Sequence, residues 1–137
     1  MEPAKRDYLN NWLIKANEDV AVIQELLSRE PERYTSAICF HAQQAVEKFL
    51  KSYLIYFDVD FQKVHDVDYL LNECKKIDKT LFDEIDLRSL TDYGVSVRYP
   101  DDFMIPFLED TKYYSEVALR VKQIVEKKIC NISVEFS

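Results

Sequence analysis

Apolar residues recur at steps of three and four along most of the chain, and the repeat breaks at only a few places. The clearest stretch is residues 35–57, TSAICFHAQQAVEKFLKSYLIYF. At about 100° per residue, Ile38, Ala42, Ala45, Val46, Phe49 and Tyr53 share one broad face, the signature of a helix packed against others. This predicts the central helix. A first helix over residues 7–28 carries Leu9, Trp12, Leu13, Ala16, Val20, Ile23 and Leu27 in the same period and ends before Pro31. The polar connection 28–33 then folds it back antiparallel to the second.

Residues 58–64 lack a helical period, and His65-Asp66 ahead of Val67 reads as a capped start of a shorter third helix ending near Ile77. The stretch 78–85 has room for one more turn. Asp86 is placed to cap a fourth helix through Leu87, Leu90 and Tyr93, which Gly94 weakens and Pro100 stops near residues 97–99. Residues 101–105 form a loop. Pro106 suits the first turn of a long last helix built on Phe107, Tyr114, Ala118, Val121, Val125 and Ile129. The tail 131–137 is expected to fray or form a small extension.

Composition narrows this to one all-α domain spanning 1–137. One glycine and four prolines in 137 residues leave little material for hairpins or long loops. A net charge of −7 argues against broad nonspecific DNA binding or an anionic membrane surface, because a polyanion would meet mostly repulsion. Cys39, Cys74 and Cys130 are scattered and odd in number, which fits reduced thiols in the cytoplasm. The N-terminal MEPAKRDYLNNW lacks the apolar core of a signal peptide, and no run of apolar residues is long enough to span a bilayer.

The polar chemistry concentrates on the second helix. His41, Gln44, Lys48 and Lys51 form a stripe well away from the apolar face, with Gln43 and Glu47 between the two. Glu47 stands four residues before Lys51, in the favourable order for a helix ion pair. The plain reading of such a stripe is a solvated face. Against it stand a histidine, two adjacent amides with both donors and acceptors, and lysines within a turn, which together suit an anionic, hydrogen-bonding ligand. Asp19 falls inside the apolar stripe of the first helix and needs a partner there, since an unpaired buried carboxylate costs several kcal/mol or goes neutral. Arg98, just before the rigid Tyr99-Pro100 turn, is placed either for a bidentate phosphate contact or as that partner.

Other chemistries lack their residues. No Glu-x-x-His pair supports a di-iron bundle, and His41 and His65 lack the spacing of a zinc site, so neither metal nor cofactor is expected. A single glycine leaves no phosphate-binding loop.

Trp12, Ala16 and Asp19, then Phe40-His41-Ala42-Gln43-Gln44-Ala45-Val46-Glu47-Lys48 with Lys51, Tyr53 and Leu54, resemble a HEPN domain. His65 with Leu70-Leu71, and Tyr93 with Arg98-Tyr99-Pro100, follow in the family's order. This helical family is named for higher eukaryotes and prokaryotes and for proposed nucleotide binding. The resemblance implies an up-and-down bundle of four main helices plus a short extra one, usually a homodimer. It also implies two functions. Some relatives are metal-independent ribonucleases, often the toxic half of a toxin–antitoxin pair, and others appear as partners of a small nucleotidyltransferase. The ribonuclease branch carries an arginine followed a few residues later by histidine, whereas no histidine follows Arg98 here. Catalysis would have to borrow His41 or His65.

The leading expectation is therefore a noncatalytic module that binds a nucleotide or RNA phosphate beside a nucleotidyltransferase partner. His41, Gln44, Lys48, Lys51, Arg98 and Tyr99 would hold the ligand, with Asp19, Glu47 and His65 behind them. The alternatives are a metal-independent ribonuclease and a purely structural dimerisation module.

Overall fold

A computed structural model of the chain describes residues 1–94 and 105–133, with side chains as far as 129. Among the described residues the chain forms five helices and no strand: α1 (Pro3–Leu27), α2 (Thr35–Tyr56), α3 (Val67–Ile77), α4 (Lys79–Phe82) and α5 (Leu108–Ser133). Two 3-10 turns, Pro31–Arg33 and Leu90–Tyr93, complete the connections. The helix α2 is the axis: α1, α5 and α3 all pack against it, α1 and α5 most extensively. Ile38, Ala42, Ala45, Val46, Phe49 and Tyr53 are all fully buried, as the period requires.

Several local signals act as expected, and others act in shifted places. The helix α1 begins at Pro3 rather than at residue 7, because proline is well suited to a first turn whose N–H groups have no helical partner. Asp66 caps α3 by accepting from the amides of Asp68 and Tyr69, and Asp78 caps the one-turn α4 by accepting from Leu81. The fourth helix expected from Asp86 is replaced by a turn. Asp86 does accept an amide, that of Arg88, but Arg88 adopts φ 47°, which a helix cannot continue, and among the described residues up to Gly94 a 3-10 turn at Leu90–Tyr93 follows. The Arg88 guanidinium lies 3.5 Å over the Tyr113 ring, which offsets part of that backbone strain.

The last helix starts at Leu108, two residues after Pro106, and Phe107 stands 78% exposed instead of joining the apolar stripe. Its backbone carbonyl instead accepts from the Thr111 amide and hydroxyl at the helix start. The expected stop of the fourth helix at 97–99, the turn Arg98-Tyr99-Pro100, most of the loop 101–105 and the end of the tail lie outside the described residues.

The end of α2 sets the course of the segment that follows it. Asp58 takes φ 57°, its amide donates to Ile55 O, and the Val59 amide donates to Leu54 O at 3.0 Å. This is a Schellman turn with aspartate where glycine is usual. It turns the chain at the end of α2 into the connection 58–65. Lys5 of α1 holds the turn through a 2.7 Å ion pair to Asp58 and a hydrogen bond to Tyr56 O.

Candidate functional site

The helix α2 buries charge as well as apolar surface. Glu47 is 3% exposed and Lys51 6%, so the stripe expected to stand clear of the core is partly inside it. The wheel located the stripe correctly, but α1 and the 58–65 connection cover it. Burying these groups is tolerable only because each finds partners.

Two similar clusters result. In the first, Asp19 of α1 accepts from Lys48 Nζ at 2.6 Å and pairs with His41 Nδ1 at 2.8 Å, one carboxylate oxygen to each. Asp19 is 7% exposed, so the partner that its position demanded is supplied by α2 itself. Whether Arg98 also reaches it falls outside the described residues. In the second cluster Glu47 accepts from Lys51 Nζ at 3.0 Å, the expected i,i+4 pair, and meets His65 Nδ1 at 3.0 Å. The Gln43 amide donates both to Glu47 (3.2 Å) and to the His65 carbonyl (2.9 Å), and Gln44 donates to Gln43 Oε1 at 2.7 Å.

Gln43 in turn explains the chain's only glycine. A Cβ on Gly94 would lie 2.8 Å from the Gln43 side-chain amide, so any larger residue at 94 would require Gln43 to give way. Of the expected ligand-binding residues, the structure thus joins His41 with Lys48 and Asp19, and Lys51 with Glu47 and His65. Gln44 links to the second group through Gln43. Arg98 and Tyr99 lie outside the described residues.

A cleft of about 730 Å³ opens beside the second cluster, between the N-terminal half of α1 and the 58–65 connection. Lys51 and His65 reach it, while His41, Gln44 and Lys48 do not line it. One wall is aromatic, with Tyr8 and Trp12 edge-to-face at 6.3 Å and Lys51 Nζ 5.4 Å above the Trp12 ring. Phe61 and Lys63 come from the connection opposite. Sequence reasoning placed Trp12 among core residues and passed over Tyr8, Phe61 and Lys63. The available signal was the out-of-period stretch 58–64 itself, since a nonhelical segment in a helical bundle is where a groove wall can form.

The His65 side chain is 78% exposed while its Nδ1 is held by a buried carboxylate. A carboxylate can only accept, so Nδ1 carries the proton and Nε2 is left outside that bond. The set at the cleft therefore offers a held imidazole, a lysine pinned over an indole, and aromatic surface. That suits a planar anion. Among the described residues no three His, Cys, Asp or Glu side chains are grouped to hold a metal ion, and no helix is long and apolar enough to cross a membrane.

Among the described residues the chain is thus a helical bundle whose central helix takes part in two carboxylate–lysine–histidine sets, one of them facing the connection 58–65. The family model of the HEPN domain matches residues 9–130, and the chain belongs to that family. No curated protein and no solved structure matched the chain.

Proposed function

We propose that the protein is a noncatalytic HEPN module that binds a nucleotide or an RNA phosphate, working beside a nucleotidyltransferase partner in a toxin–antitoxin-like pair. The observation that supports it is the cleft, where Lys51, Lys63 and His65 supply positive or donor groups within reach of an aromatic wall. Phosphate needs the former and a base needs the latter. The ligand role moves to Lys63 and its cleft neighbours, with Glu47 holding Lys51 and His65 in place at the back of the cleft. His41 and Lys48, bound to Asp19, brace α1 against α2. The partner class, a homodimer and a cytoplasmic setting rest on the family and on composition. Cys39 and Cys74 are free and buried, which fits a reducing compartment.

Trp12, the chain's only tryptophan, is a built-in reporter. Titration with ATP, GTP and their monophosphates should quench its fluorescence and release heat by calorimetry. Lys63→Ala should weaken binding about tenfold, the size of one charge-assisted contact. Absence of heat with every nucleotide would remove the reading.

A second reading has its own observation. Glu47 holds His65 Nδ1 at 3.0 Å beside Lys51, an arrangement that provides an acid or base and a cation without metal. As a metal-independent ribonuclease the protein would cleave RNA in EDTA and lose that activity in His65→Ala. Intact RNA after long incubation at high protein concentration leaves the binding module alone.

A further inference from the structure

The binding reading leaves open which base the cleft takes, and the charges on its wall bear on that choice. Five lysine and aspartate side chains line it: Lys5, Lys51, Lys63, Asp58 and Asp60. Lys5 is committed to Asp58 at 2.7 Å and Lys51 to Glu47 at 3.0 Å. Among the described residues Lys63 and Asp60 form no ion pair, so one cation and one carboxylate remain for a ligand.

A carboxylate on the wall of a phosphate site opposes the phosphate unless another part of the ligand brings donors to it. It has two acceptor oxygens side by side and no donor. Of the common bases, guanine alone presents two adjacent donors on its Watson–Crick edge, N1–H and the 2-amino group. Adenine and cytosine each set an amino group beside an acceptor nitrogen, and uracil flanks one N–H with two carbonyls. Facing a carboxylate, each of these places a lone pair against a negative oxygen.

Resting on the binding reading above, we propose that the cleft is selective for guanine nucleotides. Asp60 accepts from the N1–H and 2-amino group of the base, Lys63 faces the phosphate, and Trp12 or Phe61 carries the ring. Asp58 is the weaker competitor for the base because Lys5 pairs with its Oδ1 and offsets its charge. Asp60 and Lys63 sit three residues apart on one connection, so base edge and phosphate are read by a single segment whose course the Schellman turn at Asp58 sets. The carboxylate of Asp60 is exposed, and water competes for it. The preference is therefore about tenfold rather than the much larger ratios of sealed sites.

The test is calorimetry of the full chain with GMP, IMP, AMP, CMP, UMP and ribose 5-phosphate. GMP should bind about tenfold more tightly than AMP, with IMP between them because it keeps N1–H and lacks the amino group. Asp60→Asn should bring GMP down to the affinity of AMP and leave AMP unchanged or slightly tighter, since an amide replaces one acceptor by a donor. Circular dichroism of the variant checks its fold, and this exposed position should leave the spectrum unchanged. Equal affinity for GMP and AMP in the unaltered chain overturns the selectivity while the binding reading stands. A preference that survives Asp60→Asn overturns the role of Asp60. Heat with none of the nucleotides overturns the binding reading itself.

Discussion

The two buried carboxylates of this bundle have the same partners by type and different surroundings. Asp19 and Glu47 each join one lysine and one histidine through Nδ1, at distances between 2.6 and 3.0 Å. Asp19 lies on α1 and bridges His41 and Lys48, both on α2, so its cluster ties two helices together. Glu47 lies on α2 with its own lysine, and its histidine arrives from the connection, so its cluster ties a helix to a groove wall. Identical chemistry thus braces the scaffold in one place and equips a cleft in the other. What separates the two is which element brings the histidine.

Removing charge at each hub sharpens this contrast. Glu47→Gln is expected to have the largest effect, a loss of about 3–5 kcal/mol, because Lys51 would remain buried with its countercharge gone. Urea denaturation reads it, and the His65 ring signal in NMR should shift at the same time. Asp19→Asn should cost less, about 1–3 kcal/mol, since Lys48 and His41 are half-buried and can reach water. It should leave nucleotide titrations unchanged. An Asp19 variant as damaging as the Glu47 variant, or one that abolishes binding, would break the division between brace and cleft.

Gly94→Ala comes next, at about 1–3 kcal/mol, because Gln43 is fully buried and bonded to both Glu47 and His65 O, so it cannot swing away from the added methyl. Gln43→Ala in the same chain should relieve most of the clash, leaving the loss of Gln43's own hydrogen bonds. A double-mutant cycle by thermal denaturation measures the coupling.

The smallest effect is expected at Tyr53, a buried polar group with neither charge nor partner. Its hydroxyl has no hydrogen-bond partner among the described residues. Tyr53→Phe should therefore change stability by less than about 1 kcal/mol at neutral pH. Burial first, then the charges of Asp78 and Cys74, push the Tyr53 phenol from its ordinary 10.0 up to about 12. The unfolded chain releases that proton at lower pH than the folded one. Stability from this group is complete below pH 10 and falls as pH rises toward 12, by about 1.4 kcal/mol per pH unit. Denaturation between these values should show a slope steeper in the unaltered chain than in Tyr53→Phe by about that amount.

Much of this architecture was legible from spacing. The buried faces of α1 and α2, the cap at Asp66, the Glu47–Lys51 pair and the unusual position of Asp19 all follow from a period of 3.6 residues and from the penalty on unpaired charge. The HEPN family was legible from the run around His41 to Lys48 and is borne out by the match over residues 9–130. The turn at Arg88 was not, because a positive φ in a non-glycine residue leaves no mark in an apolar period. The exposure of Phe107 was missed for a related reason: the wheel assumes the helix has already begun.

Periodicity sufficed for the long helices α1 and α2 and for which side of each turns inward, since burial repeats with the turns of a helix and writes itself into neighbouring residues. Pairing between elements carries no such trace. That Asp19 meets His41 and Lys48, that His65 reaches Glu47, and that Trp12 and Phe61 face a common cleft depends on how α1 lies along α2 and on the Schellman turn at Asp58. Those are distances between residues far apart in the chain, and only packing in three dimensions sets them.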